Sequence, residues 1–237
     1  LLTINGPGTV ILNGNLTGAN AHDNTAISNG ATLLTQATVG TPFGDTAVTI
    51  NGGSLRVNTN GPNATFTIPT LTFAGGSYLR LDAMSGNDIQ LTATTLARSG
   101  AGTLFIVPGT DGNVGNTAGS DARVLGGTIL GQSTSTSNGL LTLNNTSRGS
   151  NSGVVAASIL RLASSTDATA DFVNYDPVIG FYTGVPLSAL TNTFGGSTSA
   201  SVASITTATN VSGIADVFGV KTTANISGGT LRFRAVS

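Results

Sequence analysis

The chain has 237 residues and a formal net charge of −1, with 8% charged residues, one Lys, and no Cys, Glu or Trp. Clustered Lys and Arg able to displace counterions from a phosphate backbone are missing, which argues against a nucleic-acid role. The lack of Cys excludes disulfides and thiolate metal sites. No apolar run reaches the ~18 residues of a membrane-spanning helix, and 39% hydrophobic residues with abundant β-branched side chains argue for order rather than disorder.

From the start of the chain, short β-type runs alternate with turn residues. Leu1-Leu2-Thr3-Ile4 is followed by the turn pair Asn5-Gly6 and by Thr9-Val10-Ile11-Leu12. Next come Ala31-Thr32-Leu33-Leu34 after Asn29-Gly30, then Ala47-Val48-Thr49-Ile50, and Ser54-Leu55-Arg56-Val57 after Asn51-Gly52. Ala64-Thr65-Phe66-Thr67-Ile68 and Leu71-Thr72-Phe73 precede Gly75-Gly76 and the run from Ser77 to Leu81; Ile89-Gln90-Leu91-Thr92, Thr103 to Val107, Thr128-Ile129-Leu130 and Leu141-Thr142-Leu143 continue the series. Alternation of apolar and polar residues bounded by Gly, Asn, Pro and Ser is the strand signal. Helical patterning is nearly absent.

A ruler underlies these runs. Gly8, Gly30, Gly53, Gly76, Gly102, Gly127 and Gly153 recur at spacings of 22, 23, 23, 26, 25 and 26 residues, and Gly229 returns 76 residues later, close to three more periods. A fixed period in this range marks a repeat architecture in which each unit buries its apolar face against its neighbours. The expected fold is therefore all-β, a parallel β-helix (β-solenoid) of about ten coils with a period of 22–26 residues, forming one domain over residues 1–237. At ~4.8 Å per coil the rod would measure about 50 Å. The expected interior is Val10, Leu12, Leu33, Leu55, Val57, Leu79, Leu81, Leu104, Ile106, Ile129, Leu231 and Phe233, with Asn, Ser and Thr forming ladders between coils.

The rhythm breaks over about residues 166–196, which hold Phe172, Tyr175, Phe181, Tyr182 and Phe194 together with Asp167, Asp171, Asp176, Pro177 and Pro186. A longer loop leaving a repeat face is a usual place for contact. The first expectation here, however, is that these aromatic rings pin the loop against the rod, with contact to a partner second.

The segments Gly6-Pro7-Gly8-Thr9-Val10-Ile11-Leu12-Asn13-Gly14 and Ser99-Gly100-Ala101-Gly102-Thr103-Leu104-Phe105-Ile106 resemble the Gly-x-Gly-Thr-Leu-x-Leu motif of autotransporter-associated β-strand repeats. Residues 42–55 and 225–231, which end in Gly52-Gly53-Ser54-Leu55 and Gly228-Gly229-Thr230-Leu231, resemble the second half of that repeat. The likeness covers roughly residues 1–165 and 205–237. It implies a secreted or surface-displayed parallel β-helix of a bacterial envelope, with adhesive or structural roles. Ser54 and Val10 depart from the usual Thr and Leu, and no stretch of residues 1–237 reads as a C-terminal translocator barrel, so autotransport is not an expectation drawn from this sequence.

Candidate chemistry is sparse. Polysaccharide-processing enzymes need clustered carboxylates or a positioned base, whereas Asp45, Asp111 and Asp121 sit in turns, Asp82 and Asp88 are the nearest pair outside the loop, and Asp167, Asp171 and Asp176 form the one local trio. His22 is the only His and lacks a nucleophile partner motif. Arg56, Arg80, Arg161 and Arg232 each follow a Leu, and alternation places them outward, where the first reading is solubility and edge protection and the second is a stripe for anionic glycans or a neighbouring subunit. Phe172, Tyr175, Phe181 and Tyr182 are the aromatic candidates for interaction. The glycosylation-like triplets at Asn15, Asn63, Asn144, Asn145, Asn210 and Asn225 are expected by chance in such a composition.

Both termini read as strand without a polar cap, and the chain opens at Leu1 without a basic-then-apolar leader, as expected of a processed or partial sequence. Leu1, Leu2, Ile4, Leu231 and Phe233 are the candidate end-to-end contacts for self-association or for continuation of a longer rod. The leading expectation is a non-enzymatic structural protein of a bacterial cell surface or extracellular filament, with no cofactor and no metal. A glycan-binding surface adhesin is second, and a polysaccharide lyase third.

Overall fold

The computed structural model describes residues 1–13, 24–36, 42–43, 46–58, 64–82, 88–108, 122–130, 132–133, 158–162, 170–176, 180–182, 190–198, 201–217 and 219–233. Among them no helix occurs. Twenty-one strands follow one another: β1 (Leu2–Asn5), β2 (Gly8–Leu12), β3 (Asn24–Ser28), β4 (Ala31–Thr35), β5 (Ala47–Asn51), β6 (Ser54–Asn58) and β7 (Ala64–Ala74). Then come β8 (Gly76–Asp82), β9 (Ile89–Arg98), β10 (Thr103–Pro108), β11 (Ala122–Ile129), β12 (Gln132–Ser133), β13 (Ile159–Leu162) and β14 (Ala170–Phe172). The last are β15 (Asn174–Asp176), β16 (Gly180–Tyr182), β17 (Leu190–Thr191), β18 (Val202–Ile205), β19 (Thr209–Val217), β20 (Gly219–Thr222) and β21 (Ile226–Phe233).

Up to β10 the strands sort by parity. One seven-stranded sheet runs β1-β3-β5-β7-β9-β11-β12 and a second runs β14-β13-β10-β8-β6-β4-β2. Pairing is parallel from β1 to β11 in the first sheet and from β2 to β13 in the second; paired residues are 22–27 positions apart up to β10, so those strands lie beside the one a period earlier, and the separation widens to 33 at β9–β11 and 55 at β10–β13. The glycine period thus becomes the spacing between layers. Because side chains alternate between faces, register lines up apolar columns: Ile4, Ile27, Ile50 and Phe73 on one sheet, and Val10, Leu33, Leu55, Leu79 and Ile106 on the other. From Ile27 and Leu33 onward these columns are fully buried and belong to one continuous core.

The corners rest on the turn residues. Asn29 and Gly30 both hold positive φ, 52° and 79°, as two-residue turns of the type I′ kind require. Turn stacks on turn: the Gly30 N–H donates to the Gly52 carbonyl at 2.7 Å and the Gly52 N–H to the Ala74 carbonyl at 3.2 Å. Asn29 Nδ2 donates to Asn5 Oδ1 at 2.8 Å, one rung of the expected polar ladder.

Three details differ from the sequence reading. Val10, expected inside, is 40% exposed, and Leu12 is only partly buried, because among the described residues β2 has a neighbour on one side alone. Gly127 does not open a strand of the second sheet; it lies within β11, in the first. Gly153 lies outside the described residues. Leu231 and Phe233 are not part of the long sheets: β21 pairs with β19, where Leu231 is half-buried and Phe233 largely exposed.

The parallel stack ends in antiparallel pairing. β12 runs antiparallel to β11, and β14 antiparallel to β13. The antiparallel β15–β16 hairpin packs on β11, where Gly180 comes so close to the Val124 backbone that a Cβ would overlap it. A smaller stack follows, with the three-stranded sheet β17-β18-β20 and the pair β19-β21 around a separate core of Phe194, Ala203, Ile205, Val211, Ala215 and Val217. It meets the first stack where the Phe172 ring lies against Gly219 and Lys221 Nζ pairs with Asp171 at 2.8 Å.

Candidate functional site

The four arginines do not form one stripe. Arg56 and Arg80 are directly opposite on β6 and β8. Two like charges at that separation repel, and Asp82 offsets the repulsion: Arg80 Nε donates to Asp82 Oδ1 at 2.7 Å, and Arg56 Nε to the other carboxylate oxygen. Arg161 departs from the outward placement. It sits opposite Ile106 while Leu160 sits opposite Phe105, so the alternation turns Arg161 to the core side of β13. Burial pushes its guanidinium below the usual range, an effect countered by the facing Asp171 carboxylate. Arg232 lies apart on β21, held by Asp216 through two bonds of 2.7 and 3.0 Å.

The aromatic candidates separate likewise. Tyr175 and Phe181 are opposite residues of the β15–β16 hairpin, in edge-to-face contact at 5.0 Å, and both are buried in the main core. Tyr175 Oη donates to the Gly126 carbonyl and accepts from the Gly126 N–H, both at 2.9 Å. They are therefore core side chains that pin the hairpin onto β11, not surface presented to a ligand. Phe172 packs against Gly219, and Tyr182 lies on β16. We expect Tyr175→Phe to lower stability by about 1–2 kcal/mol, since both buried backbone groups of Gly126 lose a partner. Chemical denaturation checks this; an unchanged midpoint would show that water replaces the hydroxyl.

The carboxylates whose side chains are described are all engaged: Asp82 with two arginines, Asp88 with Arg123 at 2.9 Å, Asp171 with Lys221, and Asp216 with Arg232. No cluster of metal-ligating side chains occurs among the described residues. Among the described residues no helix is long and apolar enough to cross a membrane. Asp45, Asp111, Asp121, Asp167 and His22 lie outside the described residues. Of the end-contact candidates, Ile4 is buried, Leu2 packs partly on the core and Leu1 is 74% exposed.

Two features escaped the sequence reading. Tyr78, 41% exposed on the outer face of β8, stacks on Phe105 of β10 with centroids 5.1 Å apart and planes at 21°. A half-open groove of about 440 Å³ lies in the second stack, lined mainly by the turn after β17 and by β19 with its preceding residues. Its signal in the sequence is faint, a Ser212-Gly213 pair inside a strand-like run, because its walls are brought together only by folding.

No family model, no curated protein and no solved structure matches this chain.

Proposed function

We propose that the chain is a structural β-solenoid, a rigid rod segment of a bacterial cell surface or extracellular appendage. The observation that carries this reading is the parity of the strands: odd and even strands stack in two parallel sheets over one core, layer on layer, at the period of the glycines. Such a stack lengthens by adding layers without needing a larger core. The extracellular placement rests on the likeness to autotransporter-associated repeats.

The edge formed by β1 and β2 suits addition of a further layer. Among the described residues each of these strands has a single partner strand, and β2 carries Val10 and the 53% exposed Ile11. Unpaired backbone beside exposed apolar side chains is a template for strand addition. The antiparallel closure at β12 and β14 disfavours the same growth at the opposite side, so the added layer belongs at β1 and β2. It comes from a second copy or from more of the same rod. Leu231 and Phe233, on β21, fall outside this contact.

Small-angle scattering should give an elongated particle; a spherical one would overturn the rod. Sedimentation velocity over rising concentration should reveal association of this chain, and Ile11→Lys should weaken it at least ~10-fold by placing charge on the edge. A chain that stays monomeric at high concentration would remove the second copy as the added layer.

A further inference from the structure

The groove beside β19 is built from a local departure from regular pairing. Register between β19 and β21 shifts between Val211 and Ile214, and Gly213 within the shift has φ of 78°. Bulges re-aim side chains. Here Ile214 is left 62% exposed at the groove while its neighbour Ala215 returns to the core. On the opposite wall Asn192 holds φ of 52°, and its Oδ1 accepts from the N–H groups of Thr206 and Thr207 at 2.7 and 3.0 Å. With the oxygen so committed, the Asn192 amide nitrogen is the group left to donate. Thr193 Oγ1 accepts from the Gly195 N–H at 3.0 Å, which leaves its hydroxyl proton for another acceptor.

We propose that this groove binds a neutral saccharide, with the Ile214 side chain against the apolar face of a sugar ring and Asn192, Thr193, Asn210 and Ser212 hydrogen-bonding its hydroxyls. The chemistry of the lining selects that class. Its polar side chains are amides and hydroxyls, groups that both donate and accept, and none of the described residues that line it is charged. An ionic ligand would find no counter-charge there, and a purely apolar ligand would leave the amides and hydroxyls unpaired. A ligand with hydroxyls around its rim and C–H groups on its face satisfies both. The volume suits one or two sugar rings, near the lower end of the ~300–1,000 Å³ range of small-molecule sites. A peptide adding as a strand is disfavoured, because the bulge interrupts the even spacing of N–H and C=O groups that strand addition needs. This site is independent of the rod and its β1–β2 edge.

The test is titration of the full chain, followed by NMR, with neutral glucan, mannan and chitin oligosaccharides, a sialylated oligosaccharide, and a neutral Ser/Thr-rich peptide. The expected result is saturable binding of at least one neutral oligosaccharide, with shifts at Thr193, Ser212 and Ile214. Ile214→Ser and Ser212→Ala alter exposed side chains and should each weaken binding about 3–10-fold without changing the far-UV circular dichroism. The proposal is overturned if no neutral oligosaccharide binds, if both variants bind like the parent, or if the sialylated sugar or the peptide is preferred.

Discussion

Phe73→Ala is expected to destabilise the long stack by about 3–5 kcal/mol, the range for deleting a buried aromatic side chain. Phe73 is fully buried in the column with Ile50 and Ile27, on β7, which pairs β5 on one side and β9 on the other. A cavity at that point removes contacts within its own layer and with the layers above and below, and strands hydrogen-bonded on both sides cannot slide to fill it. The loss is a large share of the ~5–15 kcal/mol that holds a typical domain. Leu55→Ala and Leu104→Ala should follow at about 2–5 kcal/mol, whereas an exposed ion pair such as Arg232–Asp216 contributes about 0–1 kcal/mol. Urea unfolding followed by circular dichroism measures the order. If removing an aspartate from a surface pair cost more than Phe73→Ala, apolar stacking would not be the main source of stability.

Gly102→Ala is the second large effect, and Gly76→Ala is its control. A Cβ at Gly102 would lie 2.7 Å from the Ala74 Cα and 2.9 Å from the Phe73 carbonyl oxygen, both backbone atoms of the adjacent layer. Neither can swing aside, so the two layers must separate locally, and the cost is about 1–3 kcal/mol or more. A Cβ at Gly76 meets nothing within 4 Å, so alanine there should stay within about 0.5 kcal/mol of the parent. Equal melting temperatures for the two variants would mean that the layers are farther apart at Gly102 than the structure places them.

That contrast bears on the glycine ruler. The glycines share a period but not a cause: Gly30 is needed for positive φ in a tight corner, Gly102 for close approach of layers, and Gly76 for neither. Their common origin is the layer repeat itself. Past Gly102 the beat carries less meaning, since Gly127 falls inside β11 rather than at a corner, and Gly229 belongs to the β19–β21 pair.

Local residue pattern establishes an all-β protein, a layer repeat of about two dozen residues through the first stack, and which face of most strands is apolar. It does so because alternation and turn chemistry are local: Leu33, Leu55 and Leu79 announce their burial within their own strands, and Asn29-Gly30 its corner. What each side chain faces depends on strand pairing and packing across the fold. Arg161 reads like Arg56 along the chain, yet pairing opposite Ile106 turns it to the core side of its sheet. Tyr175 and Phe181 read as aromatics that pin a loop to the rod, and they do enter the core, but that Gly126 is the group they are folded onto comes from the hairpin's packing alone. Val10 reads as interior, yet its strand is paired on one side alone among the described residues. The groove at Ile214 depends on a bulge and on a turn some twenty residues away. In each case the deciding quantity is a neighbour distant in the chain, which no local pattern of residues records.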